Sequence, residues 1–249
     1  MIICVSAGFG YWIKRMMHAV RRWKTVGITL IIAASCVFSC QRYTNRQILT
    51  GIETVNVVGT IIAIRALGGY CNELDRDFFS PLERTNPSRE VIAVSAPCRD
   101  LTAFKGGKAV GLKRYIVWSV GPTDSSGTPL RLPIGTTRSS FANDLAEGEQ
   151  KIDLAEIGSE VAKNGSKIGI IDQGVIDREV DAVYQALVLS GGSAGTFKIV
   201  ACVTGLGEIH HLALGIAAYD EFRSSASFSE LLASVKSLMH ATLSDNSEN

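Results

Sequence analysis

The chain has 249 residues, of which 46% are hydrophobic, and its 25 Lys and Arg nearly balance 24 Asp and Glu for a net charge of +1. The first forty residues hold five of the cations and no acid, so the remainder carries 20 cations against 24 acids, a net charge of −4. No Lys/Arg run follows residue 40. Since a nucleic-acid binder needs clustered cations to neutralise phosphates, nucleic acid is excluded as an expected partner.

The first forty residues have the layout of a bacterial export signal. All five cations lie between residues 14 and 24, and an apolar run over 25–39 follows them. That run is shorter than the about 20 apolar residues of a membrane-spanning helix, which favours cleavage over a permanent span. Met16 and Met17 lie a few residues before the cations at 21–24, so residues 1–15 are interpreted as the result of a start codon placed too early.

Two cysteines at the end of the apolar run are candidates for lipid modification. Cys36 and Cys40 each follow a small residue, as the lipidation site of bacterial lipoproteins requires. Neither site has the full pattern, because bulky Phe38 precedes Cys40 by two positions and Ala33 stands where Leu is usual before Cys36. Lipidation at Cys40 or Cys36, ordinary cleavage and an uncleaved anchor stay open. Each of these three alternatives places the domain in the periplasm, either free or anchored to the membrane.

After the leader (1–40), residues 41–54 are polar and predict a linker, and residues 55–245 predict a single domain. Apolar runs, caps and glycines set the elements of its first half. In chain order these are a strand or hairpin over Val55–Leu67, a short helix opened by Ser80-Pro81-Leu82-Glu83, a strand over Val91–Ser95, a helix around Leu101 and Phe104 ended by Gly106-Gly107, and a strand over Arg114–Val120.

A long loop over Gly121–Thr137 divides the domain, and its length predicts either a functional or a mobile segment. Ser140 is expected to cap the helix that follows. Its apolar spacing continues to Asn164-Gly165, with Gly148 as a weak point.

The second half has the two-residue period of strands, and a helix closes the domain. The predicted elements are strands over Ile168–Ile171, Val180–Leu189, Phe197–Thr204 and His211–Tyr219, then a helix opened by the capping box Ser227-Phe228-Ser229-Glu230. Strands this close in sequence must pair antiparallel. The pattern therefore predicts an α+β fold in which helices cover an antiparallel meander.

Three cysteines follow the leader. In an oxidising compartment, Cys71 and Cys98 are the better disulfide pair because their surroundings are hydrophilic, whereas Cys202 lies in an apolar run and is expected in the core. Three buried free thiols are the alternative.

The string Gly191-Gly192-Ser193-Ala194-Gly195 has the G-x-S-x-G pattern of serine hydrolases, and Asp220 and His240 follow in the order that such enzymes use. The pattern works only where a strained turn leads from a strand into a helix, which exposes the serine hydroxyl. Here the β-prone run 196–200 follows. We therefore expect a Gly/Ser hairpin loop and keep catalysis by Ser193 as the alternative.

No metal or cofactor site is predicted. His210 and His211 are expected on a strand, where adjacent side chains point to opposite faces and cannot share one ion. The acidic stretch over 172–181 is expected to form a solvated turn around Gly174, with loose Ca²⁺ contact as the alternative. Gly205-Leu206-Gly207 lacks a third glycine and a following helix, so it predicts a turn rather than a dinucleotide site.

A set of packing residues between residues 69 and 222 resembles a group of uncharacterised exported proteins of alphaproteobacteria. The set is Tyr70-Cys71 with Leu74 and Asp75, Cys98-x-x-Leu101-x-x-Phe104-x-x-Gly107, and Tyr115-x-x-Trp118. The resemblance implies an α-β-α sandwich of the PsbP and Mog1 type and carries no activity.

The leading hypothesis is an exported envelope protein, in one form a lipoprotein, whose domain acts as a non-enzymatic binding or assembly module. Its expected partner is an envelope protein or a small ligand, and its contact with the membrane runs through the leader or a lipid anchor. The alternative is a small serine hydrolase using Ser193.

Overall fold

In the part of the chain that the structure describes, two antiparallel sheets and three helices are delimited. The computed structural model describes residues 51–75, 78, 88–108, 111–147, 150–153, 157, 161, 169–193 and 196–247, with 169–172, 191–193 and 196–198 as backbone only. The strands are β1 (Ile52–Val57), β2 (Thr60–Arg65), β3 (Tyr70–Glu73), β4 (Glu90–Pro97), β5 (Tyr115–Val120), β6 (Gly169–Arg178), β7 (Ala182–Ser193), β8 (Thr196–Ile209) and β9 (Leu212–Glu221). The helices are α1 (Cys98–Lys105), α2 (Arg138–Ala146) and α3 (Ala226–Asp245).

The main sheet has seven strands in the order β3-β4-β5-β9-β8-β7-β6, and all its neighbours are antiparallel. Strands β6, β7, β8 and β9 pair in chain order as the predicted meander, and β9 then pairs with β5. The predicted α+β class with an antiparallel sheet is confirmed. One end of the sheet carries the β6–β7 and β8–β9 turns and the loop that follows β5, and we call this the loop end.

Helix α3 packs on one face of the sheet through a buried apolar stripe. Phe228, Val235 and Met239 belong to the same buried cluster as Trp118 of β5. The helix lies close because β8 carries a glycine beneath it: a Cβ on Gly205 would be 2.8 Å from Val235 Cγ1. The prediction of a turn at Gly205-Leu206-Gly207 is therefore wrong, since these glycines lie inside β8, under the helix.

Helices α1 and α2 pack on the opposite face. Because neighbouring side chains of a strand alternate between faces, Val117 and Cys202 point away from α3, whereas Trp118 and Val203 point toward it. Val117 and Cys202 share a buried cluster with residues of α1, and a third cluster contains the buried residues of α2.

The β1–β2 hairpin forms its own two-stranded sheet and packs on α3. Val57, Ile62 and Ile64 are buried in the α3 cluster. The Asn246 side chain accepts a hydrogen bond from the Ala63 N–H at 2.8 Å and donates one to the Ala63 carbonyl at 3.0 Å. Strand β1 begins at Ile52, three residues before the start of the strand or hairpin predicted over Val55–Leu67.

The starts of α2 and α3 differ from the prediction. Thr137, not Ser140, caps α2, and Ser140 is the third helical residue, which completes a reciprocal capping box with Thr137. Helix α3 begins at Ala226 with Ser225 before it, so the predicted capping box at 227–230 lies inside its first turn. The predicted helix at 80–83 lies outside the described residues.

The predicted continuation of α2 and the predicted acidic turn are both wrong. Helix α2 ends at Ala146, and Lys151 then forms a parallel bridge to Val175 of β6. Gly174 lies within β6, where a Cβ would be 2.6 Å from Ile152 Cγ1. Glycine is needed there because segment 150–152 crosses the strand closely, and no turn forms around it.

Candidate functional site

Cys71 and Cys98 form the predicted disulfide, with their Cα atoms 4.8 Å apart. Cys71 is on β3 and Cys98 is the first residue of α1, so the bond ties the start of the helix to the edge strand. Cys202 is a free thiol in the core, as expected, and burial raises its pKa to about 12. A thiol with that pKa is almost wholly protonated at neutral pH and is a poor nucleophile.

The far end of α1 is held to the same strand by an ion pair. Lys105 Nζ donates to the Glu73 carboxylate, and the two side chains are only 11% and 7% exposed. Together with the disulfide, this contact fixes α1 to β3 at both ends.

The backbone around Ser193 is a β-hairpin. Strand β7 ends at Ser193 and β8 begins at Thr196, and the two residues face each other in the antiparallel register. A strand therefore lies on both sides of the segment. In the described backbone, Ser193 therefore does not lie at the strand-to-helix turn that presents the nucleophile of a hydrolase.

His240 and Asp220, the other two residues of the candidate Ser-His-Asp triad, each contact a residue other than Ser193. His240 Nε2 lies 2.5 Å from Glu179 Oε2, and Glu179 N–H bonds the Ala182 carbonyl at the start of β7. Ser193 is eleven residues further along that strand, roughly 36 Å of extended chain. Asp220 pairs with Arg114 at 3.6 Å.

Glu179 is the centre of a polar network between the β6–β7 turn and α3. Its carboxylate accepts hydrogen bonds from Tyr184 Oη at 2.8 Å and from Lys236 Nζ at 2.8 Å, besides its contact with His240. Burial alone would raise the pKa of Glu179, but the bonds from Lys236, His240 and Tyr184 lower it to about 2. The network pins α3 to the sheet, and Lys236 also pairs with Asp177 at 2.6 Å.

His210 and His211 form the β8–β9 turn rather than part of a strand. Their φ angles are +48° and +61°, so the expectation that strand alternation separates them does not apply. The Leu132 N–H donates to the His211 carbonyl at 2.7 Å. Within the described parts of the chain, no three His, Cys, Asp or Glu side chains meet so as to hold a metal ion.

The loop over 121–137 is ordered by its own polar groups. Asp124 Oδ1 accepts from the backbone N–H of Ser126 and of Thr128 at 2.8 and 3.0 Å, and from the Ser126 hydroxyl at 2.6 Å. Hydrogen bonds from Ser126 and Thr128 lower the pKa of Asp124. This part of the loop is therefore a hydrogen-bonded turn.

Arg131 of this loop joins three segments at the loop end. Its guanidinium donates to the His210 carbonyl at 3.2 Å, to the Val58 carbonyl at 3.3 Å and to Thr60 Oγ1 at 2.9 Å. The β1–β2 turn, the long loop and the β8–β9 turn therefore form one continuous surface. The sequence offered no signal for this junction beyond the length of the loop.

Exposed apolar side chains border Arg131. Leu130 is 47% exposed, Val58 46% and Ile134 fully exposed, whereas Leu132 between them is buried. We call Val58, Leu130, Arg131, Ile134 and His210 the loop-end surface. Exposed apolar side chains that form a contiguous patch can mark a surface that contacts a partner, whereas single ones are ordinary.

Arg89 is a buried cation that the sequence analysis missed. Its guanidinium donates to the Ala213 carbonyl at 3.2 Å and lies over Gly215, where a Cβ would be 2.9 Å from Nη1. Burial lowers its pKa to about 9, against a smaller raising effect of Tyr219. An isolated Arg after a serine and before a strand carries no sequence signal for such burial.

The lipidation candidates Cys36 and Cys40 lie outside the described residues. Among the helices that are described, none is both long enough and apolar enough to cross a membrane. Comparison with protein-family models and with curated proteins finds no match.

Proposed function

We propose that the protein is an exported envelope protein whose α+β domain is a non-enzymatic binding or assembly module. The single observation that carries the proposal is the Cys71–Cys98 disulfide in a domain that follows a basic and then apolar leader. Disulfides of this structural kind form and persist outside the reducing cytoplasm. The leader and the disulfide are independent features, and both favour the periplasm.

The arrangement of layers supports the proposal that the domain is an α-β-α sandwich. Helix α3 covers one face of the antiparallel sheet, and α1 and α2 cover the other. Such a layout agrees with an α-β-α sandwich of the PsbP and Mog1 type, which the resemblance implied. The proposal concerns architecture alone, because that fold carries no particular reaction.

The geometry around Ser193 favours binding over hydrolysis. A hydrolase needs the serine at a strand-to-helix turn, with His and Asp within hydrogen-bond reach. Here the serine is the last residue of a long strand, and His240 is bound to Glu179 near the other end of that strand. We expect Ser193→Ala to leave stability within about ±0.5 kcal/mol and to remove no ester hydrolysis.

The loop-end surface is the part of the domain that we propose contacts the partner. Ile134 and Leu130 can be changed to Asp without disturbing the core, because both side chains are exposed. In a pull-down from envelope extract, the L130D/I134D variant should lose a bound protein that the wild type retains. Ile52→Asp, on an exposed position of β1, is the matched control and should retain it.

Export is tested separately with a fusion of residues 16–60 to a reporter that is active only in the periplasm. Activity is expected, whereas intact fusion found only in the cytosol would contradict the proposal. Metabolic lipid labelling distinguishes the leader's fates: loss of label on Cys40→Ser or on Cys36→Ser identifies the modified residue. An unlabelled wild-type protein of reduced mass indicates ordinary cleavage.

A further inference from the structure

The β1–β2 hairpin is attached to the rest of the domain without strand pairing. It is a sheet of its own, held by Ile62 and Ile64 against α3, by Asn246 and by the Arg65–Asp245 ion pair at 2.5 Å. An isolated two-stranded hairpin is marginally stable in water. Its folded state therefore depends on these contacts with the rest of the domain.

Glu53 on β1 points toward the domain rather than into solvent. Exposure alternates along the strand, with Ile52 and Thr54 exposed and Glu53 partly buried. Both carboxylate oxygens of Glu53 are inaccessible to water, and the side chain of Asn72 on β3 lies within hydrogen-bonding reach of them. A buried ionised carboxylate that has no cation beside it is costly.

No described cation offsets a negative charge on Glu53. The side chain of Asn72 on β3 hydrogen-bonds Glu53, and its oxygen accepts a hydrogen bond from the Ser95 hydroxyl. Glu73, the next residue of β3, is a second acid and is paired with Lys105 of α1. On β2, Arg65 is the charged group, and it is paired with Asp245 of α3. Among the residues that the structure describes, no cation is paired with Glu53.

We propose that the hairpin is a pH-dependent strap, which closes on the domain when Glu53 is protonated and loosens when Glu53 is ionised. Loosening would uncover Ile62, Ile64 and the side of α3 beneath them. The inference does not rest on the proposed function, because it concerns a contact within the domain wherever the protein resides.

The sign of the pH dependence follows from the environment. Burial raises the pKa of Glu53 above the ordinary 4.5; a hydrogen bond from Asn72 opposes this shift, and the charge of Glu73 adds to it. A group whose pKa is raised in the folded state stabilises that state fully below the unfolded pKa. The stabilisation is lost as the pH rises through the folded pKa, so the strap is tightest in acid.

Hydrogen exchange across pH 4.5–7.5 tests the strap. After correction for intrinsic exchange rates, protection of the β1 and β2 amides should fall by about tenfold for each unit by which the Glu53 pKa is raised, while protection in β8 changes less. Glu53→Gln cannot ionise and should keep the hairpin protected at pH 7.5. Glu230→Gln, an exposed acid on α3, is the matched control and should behave as the wild type.

A second measurement needs no variant and keeps the inference testable if Glu53→Gln does not fold. The side-chain carboxyl carbon of Glu53 in the wild-type protein should titrate above 4.5 by NMR. A titration at or below 4.5 overturns the proposal. So does hairpin protection that is independent of pH, or a pH dependence that Glu53→Gln leaves intact.

Discussion

Val58 occupies a backbone conformation that β-branched residues avoid. Its φ is +50° and that of Gly59 is +78°, which are the angles of the two-residue turn that favours Asn-Gly. Asn56 Oδ1 accepts the Gly59 N–H at 2.9 Å and supports the turn from the strand. Arg131 donates to the Val58 carbonyl in this turn and to Thr60 Oγ1 beside it.

Val58→Asn should stabilise the protein by about 1 kcal/mol, since Asn enters the left-handed region more readily than a β-branched residue. The urea midpoint should rise with an unchanged slope. Val58→Ile, which is equally β-branched, is the control and should give no gain. An Asn variant no more stable than the Ile variant would show that the turn is not strained by its side chain.

Glu179 should make the stability of the protein depend on its charge. Its pKa is lowered to about 2, so the stabilisation is present above the ordinary value of 4.5 and is lost as the pH falls toward 2. Glu179→Gln should therefore lower the urea midpoint at pH 6, and the gap to the wild type should narrow on acidification. Asp144→Asn, at an exposed position of α2, is the control and should lower it far less. A difference in urea midpoint between Glu179→Gln and the wild type that stays constant with pH would contradict the lowered pKa of Glu179.

At the scale of elements, the contact of α3 with β8 depends on a missing side chain. A Cβ at Gly205 would meet Val235 Cγ1 at 2.8 Å and both Met239 Cε and Tyr184 Cε1 at 3.2 Å. All three neighbours are buried, so none of them can move into solvent. The helix would have to move away from the strand to accept a methyl group.

Gly205→Ala should destabilise the protein by about 1–3 kcal/mol through overpacking. Gly68→Ala is the control, because a Cβ there meets nothing within 4 Å. In the G205A/V235A double variant, the loss of unfolding free energy should be smaller than the sum of the losses in the two single variants. The smaller side chain at residue 235 makes room for the new methyl group. Strict additivity in denaturant unfolding would show that the two sites do not share this contact.

Most elements could be predicted from the sequence where the signal was local. Alternation of apolar residues identified β7, β8 and β9, and Leu101 with Phe104 identified α1. The errors occurred where a distant segment determines the structure. Gly205 and Gly174 were interpreted as turn residues, but each lies in a strand that another segment crosses closely.

The candidate sites were less predictable than the fold for the same reason. The Cys71–Cys98 pair could be anticipated from the context of the cysteines. The contacts of Arg131 with two distant turns, and of His240 with Glu179, join residues more than sixty positions apart. No spacing rule encodes such contacts, because the topology of the sheet creates them.

At the scale of the whole molecule, contacts near both edge strands of the main sheet hold its helices in place. The disulfide and the Lys105–Glu73 pair hold α1 to edge strand β3, while Glu179 and Lys236 hold α3 near edge strand β6. The closed loop between Cys71 and Cys98 spans 27 residues, for which the chain-entropy model gives about 3 kcal/mol of stabilisation. A bond of that size is useful only where the compartment allows it to form.

The thiol state of Cys71 and Cys98 in living cells tests the account most directly. Cells that express the full chain, and cells that express residues 41–249 without the leader, are treated with an alkylating agent during lysis and analysed by non-reducing mass spectrometry. We predict that the full chain yields the two peptides joined, with Cys202 alkylated only after denaturation, and that the leaderless chain yields both cysteines alkylated. Free, alkylated Cys71 and Cys98 in the full chain would contradict both the export and the disulfide on which the proposed function rests.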